Sequence, residues 1–179
     1  MRKLTTPEMH RLTVEEFHEA QKLPLVVVLD DVRSMYNVGS VFRTCDAFRV
    51  QQLCLCGITG LPPHSEIHKT ALGAEDSVAW RHYDSALEAV RQLHAEGFVV
   101  YAVEQAEGST MLQNMEQAAA PLAIVFGNEV KGVHQEVVDA CDGCLEIPQF
   151  GTKHSLNVSV TAGMVIWELA KKHIKPSQD

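Results

Sequence analysis

The chain alternates short apolar runs with amphipathic stretches, a pattern typical of domains in which strands and helices follow one another. Residues 25–29 and 122–126 are apolar runs with β-branched residues, and both predict strands buried on two faces of a sheet. Residues 85–96 repeat apolar side chains at helical spacing before Gly97, which predicts a helix ending there. Further strands are predicted at 52–58, 78–83, 98–103 and 145–147, and further helices at 7–20, 38–48, 64–73 and in a long C-terminal segment. The predicted fold class is therefore α/β, with a mainly parallel sheet flanked by helices.

Two of the predicted strands run into polar loops before the next helix. Gly127 ends the strand at 122–126, and Gly132 follows five residues later, so the backbone between them can turn tightly and approach a ligand. Pro148 ends the strand at 145–147, and Ser155 is predicted to cap the last helix. Because parallel strands end at one edge of a sheet, these loops predict a cleft at that edge.

The length of 179 residues suits one sizeable domain. We divide it into an N-terminal helical extension at 1–21 and a main domain at 22–175. No apolar run approaches the roughly 20 residues of a membrane span, and the N-terminus is polar, so we expect a cytoplasmic protein without a signal peptide or membrane contact.

The formal net charge of −8 argues against a protein that holds nucleic acid by bulk charge alone. It leaves room for a local basic patch, for which the candidates are Arg2, Lys3, Arg11, Arg33 and Arg43. The five cysteines are expected to be reduced and mostly buried. Cys141 and Cys144 form a CxxC pair, but no second pair or histidine set at matching spacing accompanies them, so neither a metal site nor a redox role is expected.

Two nucleotide-binding classes are disfavoured by the glycine pattern. A P-loop requires Gly-Lys-Ser/Thr, whereas Val133 follows Gly132 here, so a nucleotide triphosphatase does not fit. A Gly-x-Gly-x-x-Gly segment is also absent from the sequence, which disfavours a Rossmann dehydrogenase.

Three segments together resemble the motifs of the SpoU-type (TrmH-like) RNA 2′-O-ribose methyltransferases, within the knotted SPOUT class. NVGSVFRTCDAF at 37–48 looks like motif one, LAIVFGNEVKGV at 122–133 like motif two, and IPQFGTKHSLNVSVTAGM at 147–164 like motif three. The resemblance implies S-adenosylmethionine as cofactor, a ribose 2′-hydroxyl of tRNA or rRNA as acceptor, and a C-terminal trefoil knot at the cofactor site. Sequence patterns alone predict an ordinary unknotted α/β fold.

The resemblance assigns catalytic positions to Arg43, Asn37, Glu129, Ser155 and Asn157. Arg43 matches the essential arginine of the family, which is proposed to lose a proton with the help of an RNA phosphate. A more conservative interpretation is that Arg43 clamps the phosphate and stabilises oxyanion charge. Asn37 is expected to cap its helix or contact substrate, and Glu129 to orient Arg43 or its own loop. Ser155 and Asn157 either orient the site or cap the last helix.

For the cofactor, the resemblance points to Phe126, Gly127, Ile147 and Leu156, with adenine in an apolar slot lined by backbone groups. Glu104 follows the strand at 98–103 and is placed to meet the cofactor ribose or adenine edge. The alternative interpretation of Glu104 is an exposed acidic side chain in a loop.

The last helix is apolar on most sides before Lys171, which favours a subunit interface over burial within one subunit. The resemblance implies homodimers formed through this region. Two other functions stay open at this point: a catalytically silent knotted protein that binds cofactor, RNA or a protein partner, and a small-molecule methyltransferase, which the acidic charge would suit.

Overall fold

The computed structural model describes residues 1–116 and 120–173 of the chain. The strands are β1 Leu23–Asp30, β2 Val50–Cys56, β3 Trp80–Tyr83, β4 Val99–Val103, β5 Thr110–Met111, β6 Leu122–Phe126 and β7 Gly143–Glu146. The helices are α1 Val14–Glu19, α2 Met35–Ala47, α3 Ser65–Ala71, α4 Ala74–Ser77, α5 Ala86–Ala95, α6 Gln135–Ala140 and α7 Val158–Ala170, with 3-10 turns at Pro7–Met9, Leu112–Asn114 and Lys171–His173.

The seven strands of the described residues form one sheet in the order β3-β2-β1-β6-β4-β7-β5, and each neighbouring pair runs parallel. The predicted α/β class with a mainly parallel sheet is therefore confirmed. The sequence did not predict the short strand β5 or the helix α6. The division at 1–21 and 22–175 stays a prediction, and its end at 175 lies outside the described residues.

The central strands are buried on both faces, as their continuous apolar runs predicted. In β1, Leu25, Val27 and Leu29 face a core that also contains buried residues of α2, α3 and α7. Val26 and Val28 face the opposite core, which α5 and α6 cover. Because side chains alternate along a strand, the sheet separates two hydrophobic layers.

The predicted helix at 7–20 is wrong in its first half. Pro7–Met9 forms a 3-10 turn that ends at His10 with a left-handed backbone, and Thr6 provides no side-chain cap. The helix α1 starts later because Thr13 and Glu16 form a capping box, in which each side chain accepts from the other residue's backbone N–H.

The expectation that Asn37 caps the following helix is also wrong. Ser34 is the N-cap of α2, and its Oγ accepts a hydrogen bond of 3.3 Å from the Asn37 backbone N–H. The helix therefore begins at Met35, earlier than the predicted 38, and Asn37 lies inside its first turn. This placement frees the Asn37 side chain to contact other segments.

The predicted helix at 64–73 divides into α3 and α4, because Leu72 and Gly73 both adopt a left-handed backbone. The cysteines are all free thiols, and three of them are buried, whereas Cys141 and Cys144 are half-buried. Burial raises the pKa of Cys141 to about 12, so this side chain is held as a thiol. Among residues 1–116 and 120–173, no helix has both the length and the apolar character needed to cross a membrane.

The helix α7 buries one face and exposes another. Ala162, Val165 and Ile166 are fully buried against the sheet and α2. Val160, Met164 and Trp167 recur at helical spacing on the outside, with 49%, 45% and 49% of their surface exposed. This helix therefore presents an apolar stripe to the surroundings.

Gly39→Ala is expected to lower the free energy of unfolding by about 1–3 kcal/mol, the usual cost of overpacking. A Cβ on Gly39 would lie 2.2 Å from Thr70 Oγ1 and 2.3 Å from the Ile67 carbonyl oxygen, at the contact between α2 and α3. The matched control is Gly151→Ala, where a Cβ meets nothing within 4 Å. Urea denaturation of both variants tests this packing, and equal stability of Gly39→Ala and wild type would contradict it.

Candidate active site

A pocket of about 560 Å³ opens at the carboxyl ends of β4, β6 and β7. Its walls come from the three loops that follow these strands. Apolar lining is provided by Val103, Phe126, Leu145, Ile147, Leu156 and Val158, and polar lining includes Glu104, Glu129, Ser155 and Asn157. The predicted cleft at this edge of the sheet is confirmed, and its volume is in the range of small-molecule sites.

The loop at 127–133 turns back on itself within the pocket wall. Asn128 and Gly132 exchange both backbone hydrogen bonds, at 3.0 and 2.9 Å. A Cβ on Gly127 would lie 2.1 Å from both the Gly132 carbonyl carbon and the Val133 nitrogen. Gly132 has a φ of +71°, and a Cβ there would lie 2.1 Å from Glu104 Oε2. The tight turn that the two glycines predicted is thus confirmed.

Glu104 connects the end of β4 to this loop. Its Oε2 accepts a hydrogen bond of 3.2 Å from the Val133 N–H, and its Oε1 accepts one of 3.0 Å from the Gln105 N–H. The Gln105 side chain in turn donates to the His154 carbonyl at 2.6 Å. This hydrogen bond connects the loop after β7 to the loops after β4 and β6. Glu104 is therefore a structural part of the pocket wall, and its contact with a cofactor stays a prediction.

Glu129 joins the loop after β6 to the start of α2. Its carboxylate accepts hydrogen bonds from the Arg33 N–H at 3.0 Å, the Ser34 N–H at 3.0 Å and Asn37 Nδ2 at 2.9 Å. Burial by itself raises the pKa of Glu129, but these three hydrogen bonds outweigh burial and hold the pKa below its usual value. Of the two expected roles, orienting Arg43 or orienting a loop, the contacts are those of the second.

Asn37 connects this hydrogen-bond network to the loop that follows β7. Its Oδ1 accepts from Asn157 Nδ2 at 3.1 Å and from Ser159 Oγ at 3.4 Å. Asn157 is the N-cap of α7, since its own Oδ1 accepts from the Ser159 N–H at 2.9 Å and the Val160 N–H at 3.3 Å. The prediction that Ser155 caps this helix is wrong, because the helix begins after Asn157. Ser155 instead lines the pocket.

Arg43 does not line this pocket. Asn37 and Arg43 share α2, but six residues place Arg43 about 120° from Asn37 around the helix axis and about 9 Å further along it. The exposed Arg43 side chain lines a separate groove with the N-terminal segment. The structure therefore brings together Asn37, Glu129 and Asn157, places Ser155 beside them, and leaves Arg43 outside.

Sequence reasoning missed a cluster of Asp30, Asp31 and His134 beside the loop at 127–133. The Asp30 carboxylate, only 4% exposed, accepts from the His134 N–H at 2.9 Å and lies 3.0 Å from His134 Nδ1. Asp31 Oδ2 lies 3.7 Å from His134 Nε2. The three side chains place potential ligand atoms within 4.8 Å of one another, so the expected absence of a metal stays a prediction. The feature of the sequence that could have indicated this cluster was the acidic pair Asp30 and Asp31 at the end of β1.

Asn128 was also missed as a structural residue of the loop. Its Nδ2 donates to the Asp31 carbonyl at 2.7 Å, and its Oδ1 accepts from the Val130 N–H at 2.9 Å and the Lys131 N–H at 3.1 Å. Asn128 therefore fixes the turn that presents Glu129. An asparagine directly after the strand-ending Gly127 was the signal for this turn.

Glu129→Gln is expected to lower the free energy of unfolding at pH 7 by about 1–2 kcal/mol. The carboxylate accepts hydrogen bonds from three N–H groups, whereas the amide would turn its own NH2 group towards some of these donors. The folded-state pKa of Glu129 lies below the ordinary value of 4.5. The carboxylate therefore makes its full contribution to the free energy of unfolding above about pH 4.5. Its contribution is lost as the pH falls through the folded-state pKa.

Urea denaturation between about pH 3 and pH 8 measures this difference. The difference in the free energy of unfolding between wild type and Glu129→Gln should be constant above about pH 5 and become smaller below about pH 4.5. Glu107→Gln, an exposed loop carboxylate, serves as the control. A gap that is absent at pH 7, or that persists unchanged at low pH, would show that the hydrogen-bonded carboxylate does not stabilise the fold.

Curated proteins and solved structures resemble this chain over most of its length. A tRNA (guanosine(18)-2′-O)-methyltransferase from Thermus thermophilus is 33% identical over 168 residues, which covers 94% of this chain and 85% of the relative. A 23S rRNA (guanosine-2′-O-)-methyltransferase, RlmB, from Nitrosomonas europaea is 31% identical and covers 90% of this chain, which spans 62% of that relative.

The structure of an AdoMet-bound rRNA methyltransferase from Sinorhizobium meliloti superimposes with a TM-score of 0.80 at 26% identity. The match covers 89% of this chain and 61% of that one, so the chain spans less than two thirds of this structural neighbour. The model of the SpoU rRNA methylase family matches residues 24–167, which include the β1, β6 and β7 ends and their loops. The match covers well over half of the sequence, and the chain therefore belongs to the SpoU rRNA methylase family.

Proposed function

We propose that this protein transfers a methyl group from S-adenosylmethionine to a ribose 2′-hydroxyl of tRNA or rRNA in the cytoplasm. The observation that carries this proposal is the hydrogen-bonded network of Glu129, Asn37 and Asn157 at the rim of the pocket. It joins residues from all three motif segments beside a cavity large enough for a cofactor. The names of the relatives, which are tRNA and rRNA 2′-O-methyltransferases, support the same reaction.

The pocket suits S-adenosylmethionine by its chemistry. The apolar walls from Phe126, Ile147 and Leu156 fit an adenine ring, and Gly127 leaves backbone groups near that slot. Each Glu104 oxygen accepts one backbone hydrogen bond and retains capacity to accept from a ribose hydroxyl. When bound, S-adenosylmethionine supplies an electrophilic methyl carbon.

The polar rim is proposed to hold the acceptor nucleotide. Asn37, Asn157 and Ser155 can position the ribose or the residues that contact it, because Asn37 and Asn157 are fixed by their mutual hydrogen bond. Arg43 is proposed to hold the phosphate next to that ribose and to stabilise negative charge as the hydroxyl loses its proton. A guanidinium is a poor proton acceptor at neutral pH, which favours the clamp over the base as its role.

We further propose that two copies form a homodimer through α7, with the C-terminal segment threaded as a trefoil knot. The stripe of Val160, Met164 and Trp167 is an exposed apolar surface of the kind that a two-fold interface buries. Since α7 packs on α2 and Arg43 lies outside the pocket of its own chain, Arg43 of the partner subunit is proposed to complete the site.

Arg43→Ala is expected to lower methyl transfer to RNA by about 10²–10³-fold, and Arg43→Lys nearly as much, because lysine lacks the planar fork. The affinity for S-adenosylmethionine should be unchanged, because Arg43 does not line the pocket. Labelled S-adenosylmethionine with unmodified total tRNA and rRNA measures transfer, and calorimetry measures cofactor binding. Arg91→Ala, on the exposed side of α5, is the control.

Two other outcomes of this experiment distinguish the remaining functions. Cofactor binding without transfer to any RNA would contradict the enzymatic proposal and favour a silent binding protein. Transfer to free nucleosides that does not respond to salt would contradict an RNA substrate, because RNA binding weakens as salt rises.

A mixed dimer of Arg43→Ala and Gly127→Ala subunits is expected to recover about half of the wild-type activity, although each variant alone is inactive. Gly127→Ala forces the loop of the pocket apart, whereas the Arg43→Ala subunit keeps an intact pocket that its partner can complete. Two affinity tags isolate the mixed dimer, and light scattering gives its mass. A mixed dimer as inactive as its parents would show that Arg43 acts within its own chain.

A further inference from the structure

The groove that contains Arg43 has a second wall from the N-terminal segment. It has a volume of about 1110 Å³ and lies between residues 6–17, α2 and the connection from α3 to α4. Its basic side chains are His10, Arg11, Arg43 and Arg49. Residues far apart in the sequence therefore form one continuous surface that begins at the arginine assigned to the reaction.

The sign of the charge in this groove is opposite to that of the whole chain. The groove is lined by three arginines and two aspartates, Asp46 and Asp76. The formal charge of its lining is therefore +1 with His10 neutral, whereas the formal net charge of the chain is −8. Asp46 also accepts a hydrogen bond of 2.6 Å from Ser77 Oγ, which occupies one of its oxygens. Among the described residues, no carboxylate lies within salt-bridge distance of Arg11, Arg43 or Arg49. These guanidinium groups can therefore take an external anion.

The helix α1, which forms part of the N-terminal wall, is fixed to the domain. Phe17 of α1 is buried in the core on the α2 side of the sheet. The Lys22 ammonium lies 4.6 Å from the Phe17 ring centre and donates to the carbonyls of His18 and Ala20, which closes the end of α1. Because α1 is held in place, this part of the wall loses little entropy when a ligand binds.

Arg49 adds to the positive charge beside this wall. The pKa of Lys22 is lowered by burial and further by the positive charge of Arg49. Leu12, Val14 and Leu72 are exposed in the same groove and offer apolar surface between the charges. Clustered cations with apolar surface between them match a strand of RNA, whose phosphates alternate with sugars and bases.

We propose that this groove binds the RNA strand that flanks the target nucleotide, with Arg11 and Arg49 each contacting a phosphate beside the one assigned to Arg43. This inference rests on the proposed RNA 2′-O-methyltransferase function and adds where the substrate lies. It also gives the N-terminal extension a role as one wall of the RNA site. A protein partner is the competing occupant, and it predicts no change in RNA binding when these arginines are replaced.

The test measures binding of an unmodified tRNA transcript by fluorescence anisotropy between about 50 and 200 mM salt. Arg11→Gln with Arg49→Gln is expected to weaken RNA binding about tenfold and to lower the slope of log K against log salt by about 1.4, or 0.7 for each phosphate contact. The KM for RNA should rise, while the affinity for S-adenosylmethionine stays at the wild-type value. Arg11→Lys with Arg49→Lys keeps both charges and should restore the slope.

Arg91→Gln removes one positive charge on the opposite side of the sheet and should leave both RNA affinity and slope unchanged. Wild-type affinity and slope in the double glutamine variant would overturn the proposal, as would an equal loss in Arg91→Gln. Either result can occur while the wild-type enzyme still methylates RNA, so it would leave the proposed function standing. If the wild-type protein methylates no RNA, the proposed function itself fails.

Discussion

The carboxylate of Glu129 accepts hydrogen bonds from two backbone N–H groups at the start of α2 and from the side chain of Asn37. The N–H groups that lead into a helix have no partner within it, so this carboxylate satisfies two backbone donors that the helix itself does not. It also carries the negative charge that the positive end of the α2 dipole favours. Through Asn37 the same contact reaches Asn157 and the start of α7. The three loops of the site therefore depend on one another.

The order of the strands explains why these residues meet. β6 lies between β1 and β4, so the loop after β6 is flanked by the loops after both neighbours. On one side Glu129 contacts the β1–α2 connection, and on the other Glu104 contacts the backbone of Val133. β7 follows β4 in the sheet and brings in the loop that ends at Asn157. A parallel sheet places all of these carboxyl ends at one edge, where ligands bind in folds of this kind.

Local signals in the sequence were sufficient for six of the seven strands, the pocket and its glycines. Apolar runs identified β1 and β6, and Gly127 marked the tight turn, because each signal depends on neighbouring residues only. For α2 the sequence offered Asn37 as the cap, whereas Ser34 performs this role. For α7 it offered both Ser155 and Asn157, and only Asn157 caps the helix. Several residues near each helix start are able to cap, and tertiary contacts decide among them.

Long-range contacts and side-chain directions were beyond what the sequence reveals. The pair of Asp30 and His134 joins positions 104 residues apart, and no periodicity links them. The motif match identified Arg43 but gave no information about the direction in which it points from α2. Its place in a groove with Arg11 depends on how the N-terminal segment folds back, which the capping box at Thr13 helps to determine.

The position of the transferred methyl group tests the proposed reaction most directly. Unmodified tRNA and rRNA are incubated with the protein and methyl-labelled S-adenosylmethionine, digested to nucleosides and analysed by mass spectrometry. A reaction at the site formed by Asn37, Glu129 and Asn157 predicts the label on a ribose 2′-oxygen. Label on a nucleobase, or no labelled nucleoside from any RNA although the cofactor binds, would contradict it.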